Sequence, residues 1–132
     1  MKFKIGDSAS STKIFSPEDV NAFALISGDK NPIHLDPNFA GRTVFQKPLV
    51  HGFLYASMIS EIIANQIPGP GSIYINQELQ FKRPVYHYDR LTAIVVIEEI
   101  KIAKSIYILR TSILNNENEI VLEGRAVIKL IV

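Results

Sequence analysis

From about Leu49 or Val50 to Gln66 the chain is apolar on nearly every side at helical spacing, with charge only at Glu61, and Pro68-Gly69-Pro70-Gly71 stops the run. A helix of that pattern is buried all round, so the rest of the chain has to supply its walls. The residues beyond the stop read as β. Ile73, Ile75, Leu79 and Phe81 share one parity against Tyr74, Asn76, Glu78 and Gln80, and Pro84 ends the stretch. The runs Leu91–Ile100 and Ile106–Leu114 are rich in Ile, Val and Thr, and Asn115-Asn116-Glu117-Asn118 makes a turn before a last strand from about Ile120 to Ile131. Lys13-Ile14-Phe15 is a candidate opening strand. One long buried helix followed by consecutive strands on short polar turns specifies an α+β domain in which an antiparallel sheet wraps the helix. With 132 residues, 47% of them hydrophobic, the chain closes one core, and residues 1–132 read as a single domain.

Charge narrows the function classes. Lys plus Arg number 14 against 13 Asp plus Glu, with no basic block to track a phosphate backbone, so nucleic acid is not an expected partner. Without cysteine there is neither a disulfide framework nor a thiolate metal site, and the N-terminus reaches no apolar leader core. No window approaches the roughly 20 apolar residues of a membrane span. A cytoplasmic, non-membrane protein is the expectation.

Ahead of the long helix, Ser16-Pro17-Glu18-Asp19 places a hydroxyl at N-cap, proline at the first helical position and acids in the first turn. Val20, Phe23, Ala24 and Ser27 continue at helical spacing to Gly28, a natural helix terminator, so a helix is expected from about Pro17 to Ser27. The next residues are polar and irregular: Asp29-Lys30-Asn31-Pro32-Ile33-His34-Leu35-Asp36. Asn31 is held out of the α region by Pro32, which argues for a turn and against another helix. On a helix Asp29 and His34 would point about 140° apart, whereas a turn brings both to one point.

The stretch Ser27-Gly28-Asp29-Lys30-Asn31-Pro32-Ile33-His34-Leu35-Asp36 resembles the hydratase motif of the MaoC-like, (R)-specific enoyl-CoA hydratases, whose fold is the hot dog, a long helix rolled in an antiparallel sheet. Phe45, Pro48-Leu49-Val50-His51-Gly52-Phe53, Ser57 and Ser60, Pro68-Gly69-Pro70-Gly71-Ser72-Ile73-Tyr74 and Phe81-Lys82-Arg83-Pro84-Val85 look like the same family in the same order, over essentially the whole chain. There is one departure. Where the family usually has a glycine and an acid entering the next strand, this chain reads Tyr86-His87-Tyr88-Asp89-Arg90, with a bulky residue before Asp89.

The resemblance implies reversible hydration of a trans-2-enoyl-CoA to the (R)-3-hydroxyacyl-CoA, with no cofactor beyond the substrate's own CoA. Asp29, His34 and Asp36 superficially suggest metal ligands, but two of them flank a proline turn and no further His is assigned nearby, so no metal is expected. That chemistry needs a base for a water proton, an acid at Cα and a holder for charge on the thioester oxygen. By resemblance Asp29 and His34 jointly hold the water, the Gly52 amide accepts the thioester carbonyl and Ser60 orients Asp29. Asn31 ties the turn to the backbone and Asp36 caps or is solvated. Helical geometry places His51 about 180° round from Ser60, facing away from the Asp29 loop, and His87 is expected at the surface. Lys82, with Arg83, Arg42 and Lys47, is available to the CoA phosphates, and the pantetheine arm is expected along the strand of Ile73 and Tyr74. Family members pair through their sheets, which implies a homodimer. A hot dog thioesterase and a non-catalytic acyl-thioester-binding module are the rival readings. Polyester precursor supply, fatty acid degradation and carrier-protein dehydration all use the hydratase chemistry.

Overall fold

The structure is a computed structural model and describes residues 2–132. In chain order it comprises β1 (Ser8–Ile14), α1 (Pro17–Ser27), α2 (Pro32–Leu35), α3 (Pro37–Gly41), α4 (Gly52–Asn65), β2 (Ser72–Phe81), β3 (Arg90–Lys101), β4 (Ile106–Leu114) and β5 (Ile120–Leu130). The five strands form one antiparallel sheet in the order β1-β3-β4-β5-β2, leaving β1 and β2 at the edges. The sheet curls round α4, as the hot dog fold requires.

Alternation explains the strands. Leu91, Ala93, Val95 and Ile97 of β3, Leu109 and Ile113 of β4, and Leu122, Ala126 and Ile128 of β5 are buried, and they meet Met58, Ile59, Ile62 and Ile63 of α4 in one core. Each of the Val, Leu, Ile and Met side chains contributes about 1.5–3 kcal/mol by leaving water, and the two alanines less.

The sheet and helix differ from the sequence expectation in three places. The long helix starts at Gly52, because Leu49 forms an antiparallel bridge with Tyr86 and Val50 N–H donates to the Val85 carbonyl (2.8 Å). Nor is α4 buried all round. Phe53, Ser57, Ser60 and Ala64 form an exposed stripe, because one sheet covers only one side of a helix. The single parity of β2 also breaks, at a bulge between Tyr74 and Asn76. Tyr74 faces Ile128 and therefore the core side, whereas Ile73 faces Lys129 on the outer side.

Candidate active site

α1 is built as its residues dictate: Ser16 and Asp19 form a reciprocal capping box, and Gly28, at φ 79°, ends the helix in the left-handed region with its N–H on the Ala24 carbonyl (3.0 Å). The loop beyond is held by its own side chains. Asp29 N–H donates to Ser27 Oγ (3.0 Å), Asn31 N–H donates to Asp29 Oδ1 (3.3 Å), and Asn31 Oδ1 accepts from Ile33 N–H (3.1 Å). Asn31 is thus the N-cap of α2, and Pro32 is its first residue. This corrects the expectation that Pro32 forbids a helix: at the first position its missing N–H costs nothing and its fixed φ suits the turn. Asp29 lies before α2 and His34 within it, so the helical angle between them never applies. Asp36 caps α3, accepting from Asn38 N–H (2.9 Å) and Phe39 N–H (3.3 Å).

His34 is clamped to the segment leading into α4. Its Nδ1 lies 2.9 Å from the Leu49 carbonyl, and Leu49 N–H returns a bond to the Ile33 carbonyl (3.0 Å). A carbonyl only accepts, so Nδ1 carries a proton, and in the neutral ring Nε2 keeps the lone pair. Three residues later Gly52 opens α4, where the first N–H groups have no helical acceptor. The N-cap residue, His51, makes no capping bond with its side chain.

Asp29, His34 and Gly52 line one cavity of about 450 Å³, walled by apolar groups including Leu49, Val50, Phe53, Tyr55 and Phe81. The ring of Phe81 stands over Gly52. Tyr55 is buried against Phe81, and burial pushes its hydroxyl up to about 12, so it stays neutral. Lys82 and Arg83 also line the cavity, and they pair with Glu123 (3.5 Å) and Glu119 (3.2 Å).

Ile73 and Tyr74 do not reach it. They stand on opposite faces of β2, and at about 3.3 Å per residue Tyr74 is roughly 20 Å along the strand from Phe81. Tyr74 bonds Gln77 instead. Arg42 and Lys47 lie outside the lining, over the rings of Phe39 and Tyr86.

His51 is the residue that sequence reasoning misplaced. It is 1% exposed, its ring stacks on His34 with centroids 3.9 Å apart and planes 26° apart, and its Nε2 lies 3.0 Å from the Asp29 carbonyl oxygen. The helical angle measured from Ser60 fails because His51, at ψ 134°, stands just outside the helix. The signal available in the sequence was its position immediately before the glycine that opens α4. Ser60 lies on the exposed stripe of α4 and does not join Asp29 within the chain; the bonds of Asp29 go to Ser27, Asn31 and His51.

With His51 in place, Asp29, His34 and His51 each offer a ligand atom within 4.8 Å of the others, a grouping that the sequence did not reveal. The donor set suits an ion poorly. Ring nitrogen lone pairs lie in the ring plane, and the planes of two stacked rings do not converge on one point.

The Tyr86–Arg90 segment keeps its turn without a glycine. Tyr88 takes φ 67°, its N–H bonds the Phe15 carbonyl (2.9 Å), and Asp89 closes the loop by accepting from Tyr86 N–H (2.8 Å). His87 is half-buried with Nε2 enclosed and without a partner among the described residues, which corrects its expected surface position.

In chemical terms, a carboxylate and a bare imidazole nitrogen are two proton acceptors in one cavity, beside a helix N-terminus able to donate to a developing oxyanion. No helix among the described residues is long and apolar enough to cross a membrane.

The MaoC like domain family matches residues 4–118. The chain is 43% identical over 127 residues to the (R)-specific enoyl-CoA hydratase of Aeromonas caviae, covering 96% of this chain and 95% of that one. It is 39% identical over 126 residues to the mitochondrial 3-hydroxyacyl-[acyl-carrier-protein] dehydratase of Arabidopsis thaliana, covering 93% of this chain and 75% of that one. Among solved structures, the (R)-hydratase from A. caviae involved in PHA biosynthesis superposes with a TM-score of 0.94 at 43% identity, over 98% of each chain.

Proposed function

The chain belongs to the MaoC-like domain family, and from that starting point we propose that it is an (R)-specific enoyl-CoA hydratase, a hydro-lyase that reversibly adds water to a trans-2-enoyl-CoA. The observation that carries this reading is the convergence of Asp29, His34 and Gly52 on one apolar cavity. Water sits between the Asp29 carboxylate and His34 Nε2, both of them proton acceptors. The thioester carbonyl lies on the Gly52 N–H, where the helix dipole favours negative charge. Hydroxide adds to Cβ as a proton leaves the water, electron density moves to the thioester oxygen, and a proton is returned to Cα on the same face. The apolar wall takes the acyl chain and excludes competing water.

At the cavity wall Lys82 and Arg83 are placed to exchange Glu123 and Glu119 for the CoA phosphates. The reaction needs no cofactor besides CoA and no metal, and its setting is cytoplasmic. A homodimer is the working form. In support, β2 is an edge strand with Ile73, Tyr74 and Ile75 exposed, and α4 presents its uncovered stripe beginning with Phe53, itself 71% exposed.

The test is incubation with crotonyl-CoA. Loss of the conjugated enoyl absorbance with accumulation of 3-hydroxybutyryl-CoA is expected. Release of free thiol without the hydroxyacyl product would instead mark a thioesterase, and no turnover on CoA or carrier-protein thioesters would mark a binding module.

A further inference from the structure

A helix N-cap is usually a small polar residue that spends its side chain on the helix's own N–H groups. His51 does not. Its ring is turned back into the protein, where Nε2 meets the Asp29 carbonyl (3.0 Å), its face lies on His34 and Phe23 packs edge-on with centroids 4.9 Å apart. Because the carbonyl accepts, the His51 proton is on Nε2, and Nδ1 is left buried with no partner among the described residues. A buried acceptor without a partner is a cost, so the ring is oriented for Asp29 at the expense of its other nitrogen. The same orientation leaves the first N–H groups of α4 free of a side-chain cap, beside the glycine whose amide the hydratase reading uses.

We propose that His51 is a positioning residue: its Nε2–H tethers the Asp29 main chain beside the His34 ring on which it lies, so that this one donor sets the separation of the two water-holding groups. The inference rests on the hydratase reading for what those two groups do. Burial holds the His51 pKa below the usual histidine value, the Asp29 carbonyl opposes that, the His34 charge adds to it and the Asp29 charge opposes it. At neutral pH the ring is therefore neutral, with its single N–H committed to Asp29. His51 is not itself a lining residue of the cavity; it acts through two that are, Asp29 and His34.

Two variants separate the tether from the stack. His51→Phe keeps a ring against His34 and loses the donor; His51→Gln loses the ring and keeps an N–H donor at similar reach. With crotonyl-CoA and per folded enzyme, His51→Phe is expected to lose about 100-fold in kcat, the scale of a roughly 1 Å misplacement, with KM within about three-fold. His51→Gln should stay within about ten-fold of the parent. Losses that are equal in the two variants, or that only track the folded fraction, would overturn the proposal. Backbone 15N relaxation gives a readout independent of turnover. The Asp29 and Lys30 amides should be ordered in the parent and in His51→Gln (order parameter about 0.85), and mobile in His51→Phe (below about 0.6). Unchanged order parameters would count against the tether even if the protein hydrated nothing, whereas an inactive parent with these shifts would fault the hydratase reading alone.

Discussion

The Phe81 ring stands where a side chain on Gly52 would be: a Cβ there would meet Phe81 Cε1 at 2.6 Å. Phe81 is 47% exposed and its ring can swing, so Gly52→Ala is expected to fold with a loss of about 1–3 kcal/mol. If the Gly52 amide receives the thioester oxygen, kcat falls by roughly 10²–10³ as well, the usual cost of an oxyanion donor. Adding Phe81→Ala relieves the clash. Chemical denaturation and initial rates on the double variant then decide the point: recovered stability with kcat still low is expected, whereas recovery of both would make Gly52 a packing residue only.

Asp29→Asn keeps the Oδ1 acceptor that Asn31 N–H uses, so the loop should persist while the carboxylate is lost. Hydration should drop by about 10² to 10⁴, with the melting temperature within a few degrees of the parent. His34→Ala should cost a similar factor. Rates within about three-fold of the parent in either variant would remove that residue from the mechanism.

Stability should fall on mild acidification. Burial lowers the His51 pKa below 6.5, and it lowers that of His87 too, where the Glu18 charge opposes the shift and the Lys47 charge adds to it. The unfolded chain therefore takes up protons before the folded one. Both histidines leave stability untouched above about pH 6.5, and it is lost as the pH drops below that value toward the folded pKa. Urea midpoints measured from pH 7.5 to 5 should decline, and less steeply in His51→Gln. A midpoint with the same slope in that variant would contradict the assignment to His51.

Tyr88 holds a left-handed conformation that costs an ordinary residue about 1–2 kcal/mol. Its side chain is 64% exposed, so Tyr88→Gly gives up little contact. A net gain of about 0.5–1 kcal/mol is expected after the extra chain entropy of glycine, read as a raised denaturation midpoint with unchanged hydration rate. A loss of stability would mean that the Tyr88 ring contributes more than its backbone costs.

What was legible in the chain was local. Ser16, Pro17, Asp19 and Gly28 delimit α1 by their own chemistry, and the β runs after Pro70 alternate because one face packs on α4. Asp29, His34 and Gly52 were named from their resemblance to a motif, and the fold brings them to one cavity. What stayed hidden depended on partners distant in sequence. Leu49 and Val50 are apolar enough to extend a helix, yet their backbone groups are taken elsewhere: Leu49 N–H by the Ile33 carbonyl, the Leu49 carbonyl by His34 Nδ1 and Val50 N–H by the Val85 carbonyl. His51 looked like a helical residue facing away and is instead the N-cap between the two water-holding groups. The Ile75 bulge breaks a parity that is unbroken in the residue pattern, and the open stripe of α4 reflects how far one sheet can reach.

The central claim is stereospecific hydration at Asp29 and His34, and chiral analysis of the product formed from trans-2-enoyl-CoA in water tests it most directly. The parent protein should yield (R)-3-hydroxyacyl-CoA, with Asp29→Asn and His34→Ala giving little or none over the same time. An (S) product, or no hydroxyacyl product from the parent, would contradict the account.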